Sequence, residues 1–309
     1  MRGGNSGPDI SIVLITWNAY ALTAAALASI PAAAPGLRCE ILVVDNGSAD
    51  NSVARLREAF PDVTVIENGW NAGFAAANNI AIRASTGHRV LVLNNDTVLA
   101  PESLARAVDY LDLHPEVGAL GILHLNADEA RTPQGSCFAF PRPHWDVGSL
   151  CGLQVARGVD RGPWYDERDV DWICGSFMLI PRRCLDQVGL FDERFFIYDE
   201  DIDWCRRARS AGWTVRFWPG AHLVHRGAAA QAFMRDKTFV HFRSRLAFLR
   251  KHHPLWAPAY YFAMAARLTL ATTRQAVAFI AGRTTWRAVR ERFDRQRRFV
   301  GLRHGSHGG

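Results

Sequence analysis

Short apolar runs alternate with helical patterns along the first third of this chain, and each run ends in a cluster of Asn, Asp and Gly. Ile10–Thr16 reads as a buried strand ending at Trp17-Asn18, followed by an Ala/Leu-rich helix that stops before Pro31. Residues 40–44 form a second strand, ending in Asp45-Asn-Gly-Ser-Ala-Asp50, where Ser48 or Asp50 is placed to cap the next helix. Residues 63–66 form a third, followed by Asn68-Gly-Trp-Asn-Ala-Gly-Phe74 and an Ala-rich helix that carries Asn78 and Asn79. Arg89–Leu93 forms a fourth, halting at Asn94-Asn95-Asp96 before Pro101-Glu102 opens another helix. This spacing predicts βαβ units, hence an α/β fold on a mainly parallel sheet with flanking helices. One such polar cluster is ordinary turn chemistry. A succession of them at the carboxyl ends of parallel strands predicts a single binding crevice along one sheet edge.

A second feature is the segment Ile197-Tyr-Asp-Glu-Asp-Ile-Asp-Trp-Cys-Arg-Arg-Ala-Arg-Ser-Ala-Gly212. Asp199, Glu200, Asp201 and Asp203 crowd the start of a predicted short helix, Arg206, Arg207 and Arg209 fill its last turns, and Gly212 sits where a left-handed cap ends it. Acids at the positive end and bases at the negative end suit the helix dipole, so a well-capped surface helix would look similar. Phe191, Phe195, Phe196, Ile197, Tyr198 and Trp204 surround the acids with apolar bulk. Among carboxylates that close to one another and to aromatics, at least one is expected to have a raised pKa, which suits a general base.

The crevice lacks the usual phosphate cradles. No Gly-x-Gly-x-x-Gly follows the first strand and no Gly-x-x-x-x-Gly-Lys-Ser/Thr occurs. A diphosphate bound here would need another counter-charge, and a divalent cation (Mg²⁺ or Mn²⁺) on Asp96 supplies it, because hard cations bind carboxylate and phosphate oxygens together.

Ser11-Ile-Val-Leu-Ile-Thr-Trp-Asn18, Val43-Val-Asp-Asn-Gly-Ser-Ala-Asp50, Asn68 to Asn78, Leu93-Asn-Asn-Asp-Thr97, Gly189-Leu-Phe-Asp-Glu-Arg-Phe-Phe196 and Glu200-Asp-Ile-Asp203 occur in that order over roughly residues 9–226. Together they resemble the family 2 glycosyltransferases, in particular the bacterial rhamnosyltransferase-like branch. The resemblance implies a GT-A fold, with residues 9–115 as a nucleotide-sugar-binding half and 116–226 as an acceptor and catalytic half. It implies that Thr16, Asn18 and Asp45 contact the base and ribose of the donor, with Asn71, Gly73 and Asn78 along the nucleotide. Asn94-Asn95-Asp96 stands at the family's Asp-x-Asp motif. Asn94 replaces the first acid, which leaves metal ligation mainly to Asp96. His225, in Gly220-Ala-His-Leu-Val-His225, matches a histidine near the metal and diphosphate, although His222 leaves the register open. Gly175 and Ser176, in Cys174-Gly175-Ser176, fall in a region that related enzymes use near donor and acceptor.

The implied reaction is single displacement with inversion: a carboxylate takes the proton of the acceptor hydroxyl as it attacks the anomeric carbon. The resemblance points to Asp201 as that base and Glu200 next, and the residues alone leave the two open. Asp203 is expected to pair with Arg206 or Arg207 in a structural role. The first donor expected from the family branch is dTDP-rhamnose, and the acceptor a lipid-linked or polysaccharide intermediate of cell-envelope glycan synthesis. A nucleotidyltransferase of related fold usually needs a Gly-rich, Arg/Lys-bearing phosphate loop after its first strand, which Thr16-Trp-Asn-Ala-Tyr20 does not provide. A non-catalytic nucleotide-sugar-binding subunit is the other alternative, and the intact Glu200-Asp201 pair argues against it.

Charge divides the chain unevenly. Residues 226–309 hold 17 Lys and Arg against 3 Asp and Glu, while the remainder is net negative. Arg267 and Arg274 interrupt the apolar run from Leu255 to Gly282, which disfavours a spanning helix. Aromatics mixed with Arg predict helices lying on an anionic membrane surface, with a helical layer on the catalytic domain as the plainer reading. Nucleic acid would attract the same charge, but the transferase motifs argue against it. Residues 1–8 are expected to be a disordered N-terminus, 9–226 the catalytic domain, and 227–309 a basic, aromatic helical extension with a disordered tail. The N-terminus has no apolar signal-peptide core and the six Cys show no Cys-x-x-Cys spacing. A cytoplasmic location on the inner membrane face is therefore expected.

Overall fold

A computed structural model describes residues 7–153, 164–227 and 237–301. The expected disordered ends lie outside these residues, apart from Gly7 and Pro8.

The strands and helices are, in chain order, β1 (Ile10–Thr16), α1 (Tyr20–Ala33), β2 (Cys39–Asp45), α2 (Ser52–Ala59), β3 (Thr64–Glu67), α3 (Gly73–Ala84), β4 (Arg89–Leu93), β5 (Thr97–Leu99), α4 (Ser103–Leu113) and β6 (Val117–Asn126). Then come the short β7 (Pro133–Gln134) and β8 (Cys137–Phe138), α5 (Pro143–Leu150), β9 (Arg168–Asp169), β10 (Trp172–Ile173), β11 (Phe177–Pro181), α6 (Arg182–Val188), α7 (Glu200–Ser210) and β12 (Thr214–His225). Among the described residues three further α-helices follow, α8 (Lys237–His252), α9 (Ala257–Ile280) and α10 (Trp286–Gly301), with a 3-10 turn at Pro254–Trp256 between the first two.

The principal sheet has the order β3-β2-β1-β4-β11-β6-β12-β5. β1 to β4 are mutually parallel, β11 runs antiparallel between β4 and β6, and β12 is parallel to β6. The sheet is therefore mixed but mainly parallel. Its strands read as continuous apolar runs because both faces are covered. Along β1, Ile10, Ile12 and Leu14 enter a core with α1, α2 and α4, whereas Val13 faces a second core with α3, α6 and α7. This period of two across one strand fixes the register of the β1 side chains between the layers. Trp204 is fully buried in the second core, with its indole N–H donated to the Gly189 carbonyl at 2.8 Å.

Two local expectations are corrected. α1 continues through Pro31 to Ala33, because a proline near a helix end removes a single bond of the ladder. Between the polar cluster at 94–96 and α4, the chain also forms β5, a strand too short to give a periodic signal.

The chain forms two compact units, one of residues 1–140 with 158–244 and the other of 141–157 with 245–309. In the second, Arg245 pairs with Asp146 at 3.2 Å, and α9 and α10 leave Phe262, Leu270, Val277, Ile280, Trp286 and Phe293 exposed. Among the described residues, no helix is long and apolar enough to cross a membrane.

Candidate active site

Topology alone gathers the site. β1, β2, β3, β4, β6 and β12 share one direction, so the segments that follow them leave at one sheet edge. β11 runs the other way, which brings Gly175 and Ser176, just before it, to the same edge. Register aligns Thr16 with Asp45, and Asp45 with Glu67. His225 aligns with Asn126 on one side and Thr97 on the other.

The β1–β2 end of this edge is built from side-chain amides bonding backbone. Asn18 adopts φ 49°, and its Oδ1 accepts the amides of Ala49 at 2.8 Å and Asp50 at 3.3 Å. Asn tolerates that left-handed backbone better than most residues. Asn46 accepts the Ala72 amide at 2.8 Å and donates to Asn71 Oδ1 at 2.9 Å, and Asn71 Oδ1 also accepts the Gly73 amide at 3.0 Å. Gly73 itself is held at φ 82°, where an added Cβ would lie 2.3 Å from the Phe196 carbonyl oxygen. Behind this lip, Thr16 and Asn78 are buried, and they bond Thr23 Oγ1 at 2.9 Å and the Phe74 carbonyl at 3.0 Å. Asp45 is also buried. Its Oδ2 accepts the Ser48 amide at 3.0 Å, whereas its Oδ1 has no partner among the described residues. A buried carboxylate oxygen without a donor is costly, and a ligand hydroxyl or N–H would relieve it.

At the centre, Asn94 donates its amide to the Ser176 carbonyl at 3.1 Å and Asn95 Nδ2 donates to Thr23 Oγ1 at 3.2 Å. Asp96 is buried, with Oδ1 3.2 Å from His225 Nε2. The other ring nitrogen of His225, Nδ1, lies 2.6 Å from Gln134 Oε1. His222 is exposed, and of the two histidines it is His225 that stands beside Asp96. His124 stands beside His225, with ring centroids 5.8 Å apart, and its Nδ1 is 3.4 Å from Ser176 Oγ. Burial, and then the charge of His225, push the His124 pKa down to about 3, so it is neutral at physiological pH.

A divalent cation fits the Asp96–His225 pair. With Nδ1–H given to Gln134, the Nε2 lone pair faces a carboxylate oxygen, and two such acceptors need a proton or a cation between them. Adjacent ligands of a six-coordinate cation with bonds of about 2.1 Å lie about 3 Å apart, close to the separation found here. No group of three or more His, Cys, Asp or Glu suited to a metal occurs among the described residues, so the remaining ligands would come from substrate and water.

In the first turn of α7, Asp201 faces Gly175. Tyr198 and Asp199 precede the helix at φ 71° and 68°, a backbone that costs a bulky L-residue on the order of 1–2 kcal/mol. Packing holds it there. His241 stacks on the Tyr198 ring at 3.7 Å, and Ser244 Oγ donates to the Ile197 carbonyl at 2.6 Å. The turn delivers Asp201 so that Oδ2 accepts the Gly175 amide at 3.1 Å and Oδ1 the Ile202 amide at 2.8 Å. Burial pushes the Asp201 pKa up to about 6, while those two amides hold it from rising further. Glu200 is more deeply buried, and desolvation and then the Asp201 charge push it well above the usual carboxylate range. Its Oε2 has no partner among the described residues. Asp203, fully buried, pairs with Arg207 at 2.9 Å, and that guanidinium also bonds the carbonyls of Val188 and Leu190.

The sequence matches the glycosyl transferase family 2 model over residues 11–143 and the glycosyl transferase family group 2 model over residues 89–281. It is 31% identical over 245 residues to the N-acetylglucosaminyl-diphospho-decaprenol L-rhamnosyltransferase of Mycobacterium tuberculosis, covering 70% of this chain and 76% of that one.

The chain is a family 2 glycosyltransferase.

It falls in the rhamnosyltransferase-like branch. The rhamnosyltransferase WbbL of Escherichia coli is 30% identical over 167 residues, 51% of this chain and 62% of that protein. The glycosyltransferase also has the GT-A fold that its motifs imply. A structure of GalNAc-T7 with UDP, GalNAc and Mn²⁺ matches with a TM-score of 0.57 at 18% identity, covering 72% of this chain and 44% of that one. The mannosyltransferase PcManGT of Pyrobaculum calidifontis, in complex with GDP-Man and Mn²⁺, matches with a TM-score of 0.51 at 21% identity, covering 96% and 86%.

Sequence reasoning missed several residues of this glycosyltransferase site. Asn46 ties the second and third strand ends together, His124 and Gln134 surround His225, and His241 and Ser244 hold the turn before Glu200. Asn46 had a signal, its place inside the Asp45–Asp50 cluster. The others lie in segments whose pattern carries no mark of a site.

Proposed function

We propose that this glycosyltransferase moves a sugar, with inversion, from a nucleoside-diphosphate sugar to an acceptor hydroxyl, using Asp201 as the base. The observation that carries this reading is the contrast within one helix turn. Asp201, with a pKa of about 6, is ionised at neutral pH yet basic enough to take a proton, whereas burial and the Asp201 charge push Glu200 well above the usual carboxylate range. Both Asp201 oxygens accept backbone amides, which orients the carboxylate before substrate arrives. The donor nucleoside binds along Asn18, Asp45, Asn71 and Gly73, where the unpartnered Asp45 Oδ1 meets a donor group of the ribose or base. Thr16 and Asn78 position that wall from behind. Asn94, Asn95 and Asp96 run beneath the diphosphate, and Gly175 and Ser176 line the approach of sugar and acceptor. Asp96 and His225 would hold Mg²⁺ or Mn²⁺, which when bound offsets negative charge on the leaving diphosphate.

The donor proposed first is dTDP-rhamnose, supported by the L-rhamnosyltransferase relatives. The name of the mycobacterial relative also supports a polyprenyl-diphosphate-linked sugar as acceptor. A lipid-linked acceptor would be met at a membrane surface. Exposed apolar side chains and excess Arg on α9 and α10 suit a peripheral seat on anionic lipid at the inner membrane face.

The testing experiment follows nucleoside-diphosphate release from UDP-, GDP- and dTDP-sugars with Mg²⁺, Mn²⁺ or EDTA and a membrane lipid extract as acceptor. Metal-dependent release from one donor, with inverted anomeric configuration in the product, is the expected result. Donor binding without release under every condition would favour a non-catalytic subunit.

A further inference from the structure

The β6–β7 hairpin carries a polar relay that the proposed chemistry does not use directly. β7 pairs antiparallel with β6, with Gln134 opposite His124 and Pro133 opposite Leu125, and the Asn126 amide bonds the Thr132 carbonyl at 2.8 Å. At the outer end, Asp128 Oδ1 accepts the Thr132 amide at 3.0 Å and Oδ2 accepts the Thr132 hydroxyl at 2.6 Å. Those bonds, the hydroxyl's first, hold the Asp128 carboxyl below its usual range, and an ionised carboxylate only accepts.

That anchor sets the direction of every later link. The Thr132 hydroxyl spends its one proton on Asp128, so its oxygen accepts from Asn126 Nδ2 at 2.9 Å. Asn126 therefore presents Oδ1 to Gln134 Nε2 at 3.1 Å. Gln134 in turn presents Oε1 to His225 Nδ1 at 2.6 Å. Flipping either amide would set donor against donor or acceptor against acceptor along the chain. An amide oxygen at Nδ1 requires a proton there, and so a neutral His225 keeps its lone pair on Nε2, the nitrogen 3.2 Å from Asp96 Oδ1.

We propose that Gln134, oriented through Asn126 and Thr132 by Asp128, is a positioning residue that fixes His225 as the Nδ1–H tautomer and thereby directs the Nε2 lone pair into the space shared with Asp96. The proposal rests on the reading of Asp96 and His225 as the cation pair. It extends that reading to residues that touch neither cation nor substrate. Hydrogen bonds to the far nitrogen of a metal-ligating histidine fix ring and tautomer together, and their loss typically lowers metal affinity about 10–100-fold.

The test compares Gln134→Leu, which removes the acceptor, with Gln134→Glu, which retains one, in the full chain. The ¹⁵N chemical shifts of the His225 ring, read in metal-free protein at mildly alkaline pH, report which nitrogen bears the proton. Mn²⁺ uptake is followed by electron paramagnetic resonance with dTDP, UDP or GDP present. The wild-type chain and Gln134→Glu are expected to show the Nδ1–H form, and Gln134→Leu to shift toward Nε2–H with at least about tenfold weaker Mn²⁺ binding. Far-UV circular dichroism shows that each variant is folded. A wild-type His225 protonated on Nε2, or a Gln134→Leu protein with wild-type tautomer and Mn²⁺ affinity, would overturn the proposal. A wild-type chain that takes up no Mn²⁺ with any of the three diphosphates would sink the cation reading alone, because the tautomer shifts still decide the role of Gln134.

Discussion

The amide of Gly175 donates to Asp201 Oδ2 at 3.1 Å, joining the approach to β11 with the first turn of α7. An added Cβ at Gly175 would lie 3.1 Å from the Phe74 ring and 3.9 Å from Asp201 Cβ. A side chain here would press on the Phe74 ring, and meet Asp201 only at ordinary contact distance. The relationship links the geometry of the site to its protonation, since the same amide restrains the rise of the Asp201 pKa.

That balance predicts a pH profile. Transfer should fall as pH drops through about 6, where Asp201 takes up a proton and can no longer act as base. Asp201→Asn is expected to lower kcat by at least about a thousandfold with donor affinity retained, as measured by initial rates and by calorimetric titration of the donor. The effect on stability runs the other way. A carboxyl whose pKa is raised by folding binds its proton more tightly in the native state, so its ionisation costs stability as pH rises from about 4 to about 6. At neutral pH Asp201→Asn removes that cost, on the order of 1–2 kcal/mol, but turns its Nδ2 toward one of the two backbone N–H donors, which offsets part of the gain; the urea midpoint reads the balance. An unchanged rate in Asp201→Asn would transfer the base role to Glu200.

Gly73 tests the docking of the third strand-end loop. Its φ of 82° and the 2.3 Å approach to the Phe196 carbonyl leave no room for a methyl group. Gly73→Ala is expected to cost about 2 kcal/mol, through left-handed strain and the displaced bond between the Phe74 amide and Phe196. Denaturation midpoints would register that loss, and donor affinity should fall with it. A Gly73→Ala chain of wild-type stability would contradict the backbone described here.

Asp203 and Arg207 should behave as a structural pair, distinct from the neighbouring acid proposed as the base. Removing Asp203 leaves a guanidinium still bonded to the Val188 and Leu190 carbonyls but without its buried counter-charge. Asp203→Ala is expected to destabilise the fold by about 3–5 kcal/mol. Urea unfolding is the appropriate measurement, with kcat per folded molecule as the control. A specific loss of kcat at full stability would place Asp203 in the chemistry instead.

The basic helices make a prediction that depends on salt. Vesicles rich in phosphatidylglycerol should sediment the wild-type chain at low ionic strength and release it as salt screens the Arg side chains. The double substitution R287E/R290E should reduce that binding by more than tenfold, since each reversal removes on the order of 1 kcal/mol of attraction and adds repulsion. Equal binding to neutral phosphatidylcholine vesicles would argue against an electrostatic seat.

The sequence by itself determined the parts of this protein that depend on near neighbours. Short continuous apolar runs, polar strand ends and an acid-to-base helix were enough to predict an α/β sheet with its crevice at the carboxyl edge, and to nominate Asp96 and the Glu200–Asp201 pair. Only the tertiary structure separated Asp201 from Glu200, because adjacent acids differ in burial and in the amides that reach them, and Gly175 arrives from 26 residues away. It set His225 rather than His222 beside Asp96, because alternation along β12 sends the two rings to opposite faces of the strand. It also assigned Arg207 to Asp203, brought Gln134 across 91 residues to His225, and inserted β11 antiparallel into the sheet. Side-chain spacing along a strand or helix is set by local backbone geometry, and so can be read from sequence. Desolvation and hydrogen-bond partners are set by whatever the folded chain brings alongside.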